Sequence, residues 1–64
     1  MVEADEFTMT VERDPRRSGR FRWAFSVRGE IDSYSPVTFA TKREALADAE
    51  RSFKKRVADW RATR

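Results

Sequence analysis

The chain has 64 residues, 39% hydrophobic and 39% charged, with a formal net charge of +3, which is enough sequence for one small domain and leaves nothing for a second core. It contains no Cys and no His, so disulfides and thiolate chemistry are excluded, and the commonest general base and zinc ligand are missing. Five Phe, two Trp and one Tyr are too many for a disordered chain, although the mean hydropathy of −0.82 sits near the polar edge of what folds.

Residues 1–5 carry no period and are read as disordered. From Glu6 to Glu12, Phe7, Met9 and Val11 alternate with Thr8, Thr10 and Glu12, the period of a half-buried strand. The segment 13–19 collects Pro15, Gly19 and solvated charges, the composition of a long and mobile hairpin loop. Alternation resumes over residues 20–28, with Phe21, Trp23, Phe25 and Val27 on one side and Arg20, Arg22, Ala24, Ser26 and Arg28 on the other. A reversal at Gly29-Glu30 leads to a third strand over 31–39, interrupted by Pro36, which lacks a ladder donor and suits an edge or a bulge. Thr41-Lys42-Arg43-Glu44 has the form of a capping box, and a helix is expected over about residues 42–62. Its apolar stripe is Leu46, Ala49, Phe53, Val57 and Trp60. At about 1.5 Å per residue that helix is longer than three short strands cover, so its last turns are expected to overhang.

The expected fold is therefore α+β: a three-stranded antiparallel sheet with one C-terminal helix packed on one face, in the order βββα. Phe7, Met9, Val11, Phe21, Trp23, Phe25, Val27, Ile31 and Phe39 would form the core. The other sheet face, with Thr8, Thr10, Glu12, Arg20, Arg22, Ala24, Ser26 and Arg28, would face water.

Charge is uneven along the chain. Residues 1–12 carry four acids and no base, residues 13–28 carry six Arg against Asp14, and the rest is nearly balanced. Eleven of the fourteen bases are Arg, whose planar fork suits phosphate and carboxylate; an Arg-favouring codon bias is the plain alternative. Catalysis finds little support. The Glu44/Asp48 pair reads as solvated helix surface, no serine has a His partner, and two Gly make no phosphate loop. No enzyme activity, metal, cofactor or small-molecule substrate is expected. No apolar run approaches the roughly 18 to 20 residues of a membrane span, and the acidic start is the opposite of a signal peptide's basic one, so the expectation is a cytoplasmic protein with no membrane partner. The remaining candidate is the arginine-bearing open face. An antiparallel sheet can lie in the major groove of duplex DNA, with Arg and Ser reaching bases or phosphates. Arg16 and Arg17 would steer from the loop, and Arg20, Arg22, Ser26 and Arg28 would make contacts.

Gly19-Arg20-Phe21-Arg22-Trp23, the reversal at Gly29, and the run from Thr38 to Ala45 resemble the arm-type N-terminal DNA-binding domain of phage integrases. The resemblance covers about residues 7–57 and implies a three-stranded sheet backed by one helix, with Arg20, Arg22, Ser26 and Arg28 facing the major groove. The chain departs from that pattern by its acidic start, and it is expected to stand alone without a recombinase domain. The same stretch is similar to the YegP-like family of small bacterial proteins, through the aromatic-Arg-Trp of the second strand and Gly29-Glu30-Ile31. Beside DNA binding stands a second class of function: a phage- or prophage-type protein that binds a protein partner or itself, using the helix end around Trp60.

Overall fold

The computed structural model of the protein describes residues 2–63. Four strands and one helix follow in order: β1 (Val2–Ala4), β2 (Phe7–Arg13), β3 (Phe21–Val27), β4 (Glu30–Tyr34) and α1 (Lys42–Ala62). The strands form one antiparallel sheet in sequential order. The sheet thus has four strands and not three, because Val2–Ala4 pairs back onto β2 with Val2 opposite Met9. The hairpin needs only a two-residue reversal, and Asp5 supplies the left-handed conformation at φ 56°, which Asp tolerates better than most residues.

The β2–β3 hairpin sets the core. Its register pairs Phe7 with Val27, Met9 with Phe25 and Val11 with Trp23, so the apolar parity of both strands falls on the same face. Phe7, Met9, Trp23 and Phe25 are almost wholly buried. The Phe7 and Phe25 rings stack at 5.9 Å, and Phe53 of the helix meets Phe25 edge-on at 6.2 Å. On the helix side the buried residues are Ala45, Ala49 and Phe53. Ala45 takes the place expected for Leu46, which is only half-buried: two alanines one turn apart let the helix axis approach the sheet where the Trp23 indole needs the room.

A buried donor is answered across the layers. The Trp23 indole N–H donates to Asp48 Oδ2 at 2.8 Å, and the Arg56 guanidinium lies 5.2 Å from the Trp23 ring centroid. The helix end does not overhang. Trp60 meets Phe7 edge-on at 5.4 Å, and Arg61 pairs with Asp5 in the β1–β2 turn, so β1 and its turn extend the platform the helix lies on. Thr41 caps the start, its hydroxyl oxygen accepting from the Glu44 N–H at 3.1 Å, one half of the expected capping box. The Glu44 carboxylate meets the Thr41 hydroxyl at 3.2 Å.

The third expected strand is split. Arg28 and Gly29, at φ 54° and 83°, form the reversal in place of Gly29-Glu30, two successive positive φ values being what a type I′ hairpin turn requires. β4 then slips at a bulge between Phe25 and Ser26 of its partner, which turns Ile31 to the open face opposite Ser26, 53% exposed and out of the expected core. Past Tyr34 the chain leaves the ladder at Pro36. Ser35 bridges the gap: its N–H donates to Trp23 O, its Oγ accepts from the Trp23 N–H, and its hydroxyl donates to Val37 O. Phe39 rejoins β3 through two backbone bonds with Phe21 at 2.9 and 2.8 Å. The helix backbone packs on β1, β2 and β3 and stays clear of β4, which it borders through the side chain of Trp60.

Two substitutions test this packing. Asp48→Ala leaves the buried indole N–H without its acceptor and should lower the unfolding free energy by about 1 to 3 kcal/mol in urea titrations; no change would mean the bond does not hold the layers. Ser33 Oγ is buried with no hydrogen-bond partner among the described residues. Ser33→Ala removes that desolvated hydroxyl, so the same titration should show unchanged or higher stability, by up to about 1 kcal/mol.

Candidate functional site

The long hairpin loop is internally bonded. Asp14 N–H donates to Arg20 O at 2.9 Å, Arg20 N–H to Arg17 O at 3.2 Å and Arg17 N–H to Asp14 O at 3.4 Å, while Asp14 Oδ1 accepts from the Arg16 N–H at 2.9 Å. This set of turns, with Gly19 at φ 76°, holds Arg16 and Arg17 at the tip with exposed side chains. Neither makes an ion pair among the described residues.

Arg20 and Arg22 are held differently. Arg20 lies just before β3 and reaches sideways to Thr38, donating from Nε to the hydroxyl and from a terminal nitrogen to the carbonyl, both at 3.0 Å. Arg22 sits on the open face, where register places Glu12 opposite it. Its Nε and one terminal nitrogen donate to Glu12 Oε2 at 2.9 and 2.7 Å, and its guanidinium lies 3.8 Å from the Tyr34 ring centroid. Tyr34 stands across Ala24 on the neighbouring strand. The hydrogen bond to Glu12 raises the Arg22 pKa above its ordinary value.

These four arginines line one depression of about 630 Å³ at the loop end of the open face. Tyr34, Pro36 and Val37, from the detour where the chain leaves the ladder, complete the lining, with Arg22 stacked on Tyr34 and Arg20 bonded to the neighbouring Thr38. Tyr34 and Val37 are 41% and 58% exposed. Asp14 at the rim is the one acid among the lining residues.

Ser26 and Arg28 are not part of this group. Ser26 lies on the open face between Thr8 and Ile31, towards the other end of the sheet. Arg28 belongs to the β3–β4 turn, where Nε donates to Glu6 of the neighbouring turn, and it lies outside the strand that was expected to carry it. A second depression of about 600 Å³ at that end is lined by Val27, Arg28, Glu30, Ile31, Asp32 and Trp60. Two carboxylates and a paired arginine give it no surplus of positive charge.

The open face as a whole is less basic than the alternation suggests, because the Arg22 charge is answered by Glu12 and β1 adds Glu3 opposite Thr8. Positive charge collects instead at one end of a molecule 35 Å long. Residues 12–22 and 38–44, brought together by the Phe21–Phe39 bridge, carry seven bases against three acids. Residues 2–6 and 28–32, at the other end, carry five acids against Arg28. The helix starts at the basic end, so its macrodipole adds in the same sense.

Parity opposite to Ile31 places Tyr34 near the open face, but alternation does not single out Val37 or Thr38 beside the arginines. The available signal was Pro36, which marks where the chain must leave the ladder. Among the described residues no cluster of His, Cys, Asp or Glu is arranged to hold a metal ion, and no helix is long and apolar enough to cross a membrane. No family model matches the chain, and neither the curated proteins nor the solved structures contain a significant match.

Proposed function

We propose that this protein is a small non-enzymatic module that binds nucleic acid through the basic end of its sheet. The observation that carries this reading is the convergence of Arg16, Arg17, Arg20 and Arg22 on one depression. Arg16 and Arg17 have free guanidinium groups for phosphate, and Lys42 and Arg43 stand at the same end. Arg20 and Arg22 are already tied to Thr38 and Glu12, so they shape the site and add field at fixed positions. The resemblance of the second strand and capped helix to the integrase arm-type domain points to the same class of partner. The structure supports a site at one end in preference to the whole face, because Glu3, Glu12 and Ile31 interrupt the rest.

The test is a titration of a labelled mixed-sequence duplex bearing a single-stranded overhang. With about four phosphates neutralised, log K should fall with log salt at a slope of about −3 to −4. Arg16→Ala and Arg17→Ala should each shallow the slope by about one, whereas Arg28→Ala, at the far end, should leave it unchanged. No binding at tens of micromolar protein and about 50 mM salt would refute the reading.

One observation favours a second reading, association of two copies through β4. That strand is a sheet edge left uncovered by the helix, it carries exposed Ile31 and Tyr34, and small domains gain from burying more apolar area. Glu30 and Asp32 on the same strand oppose it. Sedimentation at micromolar concentration should show a dimer that Ile31→Lys converts to monomer; a monomeric parent chain would eliminate this reading.

A further inference from the structure

We infer that the arginine-lined depression takes an unpaired nucleotide of a single strand, its base against Tyr34 and Val37 and its phosphates on Arg16 and Arg17. This rests on the nucleic-acid reading above and narrows its ligand. The lining of the depression has two chemistries. One part is cationic, from the loop and the start of β3. The other is an exposed apolar strip of Tyr34, Pro36 and Val37 from the detour after β4.

A ligand that uses both parts must bring an anion and a flat apolar surface within one nucleotide's length of each other. Duplex DNA shows its phosphates and groove edges but keeps its base faces stacked inside, so it would leave the apolar strip in water. A single strand shows both, and base–aromatic stacking is its usual mode of capture. The Tyr34 ring is prepared for this role. The Arg22 guanidinium lies 3.8 Å from its centroid and covers one ring face, Glu12 holds that guanidinium through two hydrogen bonds, and a base is left the other face. The ring is thus held in place before any ligand arrives, which lowers the ordering cost of stacking, while 41% of the residue remains open to solvent. The volume of about 630 Å³ falls within the roughly 300–1,000 Å³ of small-ligand sites.

The experiment compares a labelled mixed-sequence single strand of about 15 nucleotides, its blunt duplex, and a strand of equal length with abasic sites, all at about 50 mM salt. The single strand should bind at least about tenfold more tightly than the duplex, and the abasic strand should fall to the duplex level. Tyr34→Ala should weaken single-strand binding about tenfold and leave duplex binding unchanged, with Tyr34→Phe close to the parent chain. Val37→Ser, at an exposed position outside the core cluster, gives a second reading of the apolar strip and should weaken the single strand several-fold. Adenosine monophosphate should compete only at millimolar concentration; competition at micromolar concentration would overturn the strand in favour of a free nucleotide. Equal or tighter binding of the blunt duplex, or an abasic strand that binds like the intact one, overturns this inference and leaves the nucleic-acid reading standing. Absence of binding by every probe overturns both.

Discussion

The hydrogen bond from the Trp23 indole to Asp48 is the constraint on which the arrangement of the layers depends. Trp23 is 1% exposed, and a buried indole N–H with no acceptor would cost about as much as a good core contact contributes. The acceptor comes from the helix, so the helix can take only the rotation and slide that bring Asp48 over β3. Ala45 and Ala49 make the approach close enough, since larger residues would hold the axis away from the sheet. Once Asp48 is placed, the turns beyond it bring Phe53 onto Phe25 and Trp60 onto Phe7. The same placement leaves β4 outside the helix's cover.

That uncovered strand explains how a polar depression arises beside a small aromatic core. β4 is held by its ladder with β3 and by the Arg22 guanidinium on Tyr34, and at Pro36 the ladder lapses. Ser35 and the Phe21–Phe39 bridge close the gap at both ends, and the three residues between them bow outward. Arg20 clasps the bow through Thr38. A loop that would otherwise be loose thereby lines the same depression as the arginine hairpin.

Charge separation along the molecule follows from the topology more than from net charge. With sequential antiparallel strands, the β1–β2 and β3–β4 turns lie at one end, and the β2–β3 loop and the approach to the helix at the other. Acidic residues occupy the first set and arginines the second, and the helix dipole points the same way. A net charge of +3 therefore understates the positive field at the loop end.

Alternation alone makes the β2–β3 hairpin legible, because both strands bury one parity and a register slip would expose every aromatic residue. The capped C-terminal helix is legible from Thr41 and Glu44 for the same kind of local reason, as is the class of fold, one helix against an antiparallel sheet. Local pattern could not reveal β1, since Val2–Ala4 is too short to show a period and gains its order from pairing with β2. Nor could it place Ile31, whose facing is decided by a bulge, or choose Ala45 over Leu46, which depends on the room needed by Trp23. Among the candidate arginines, the sequence determined which were close along the chain; only tertiary structure decided their surroundings. Arg22 meets Glu12 through strand register, Arg28 meets Glu6 across two turns, and Arg16 and Arg17 share a depression with Tyr34 and Val37 where the chain leaves its ladder at Pro36. Such pairings join residues distant in sequence, and no periodicity along one segment records them.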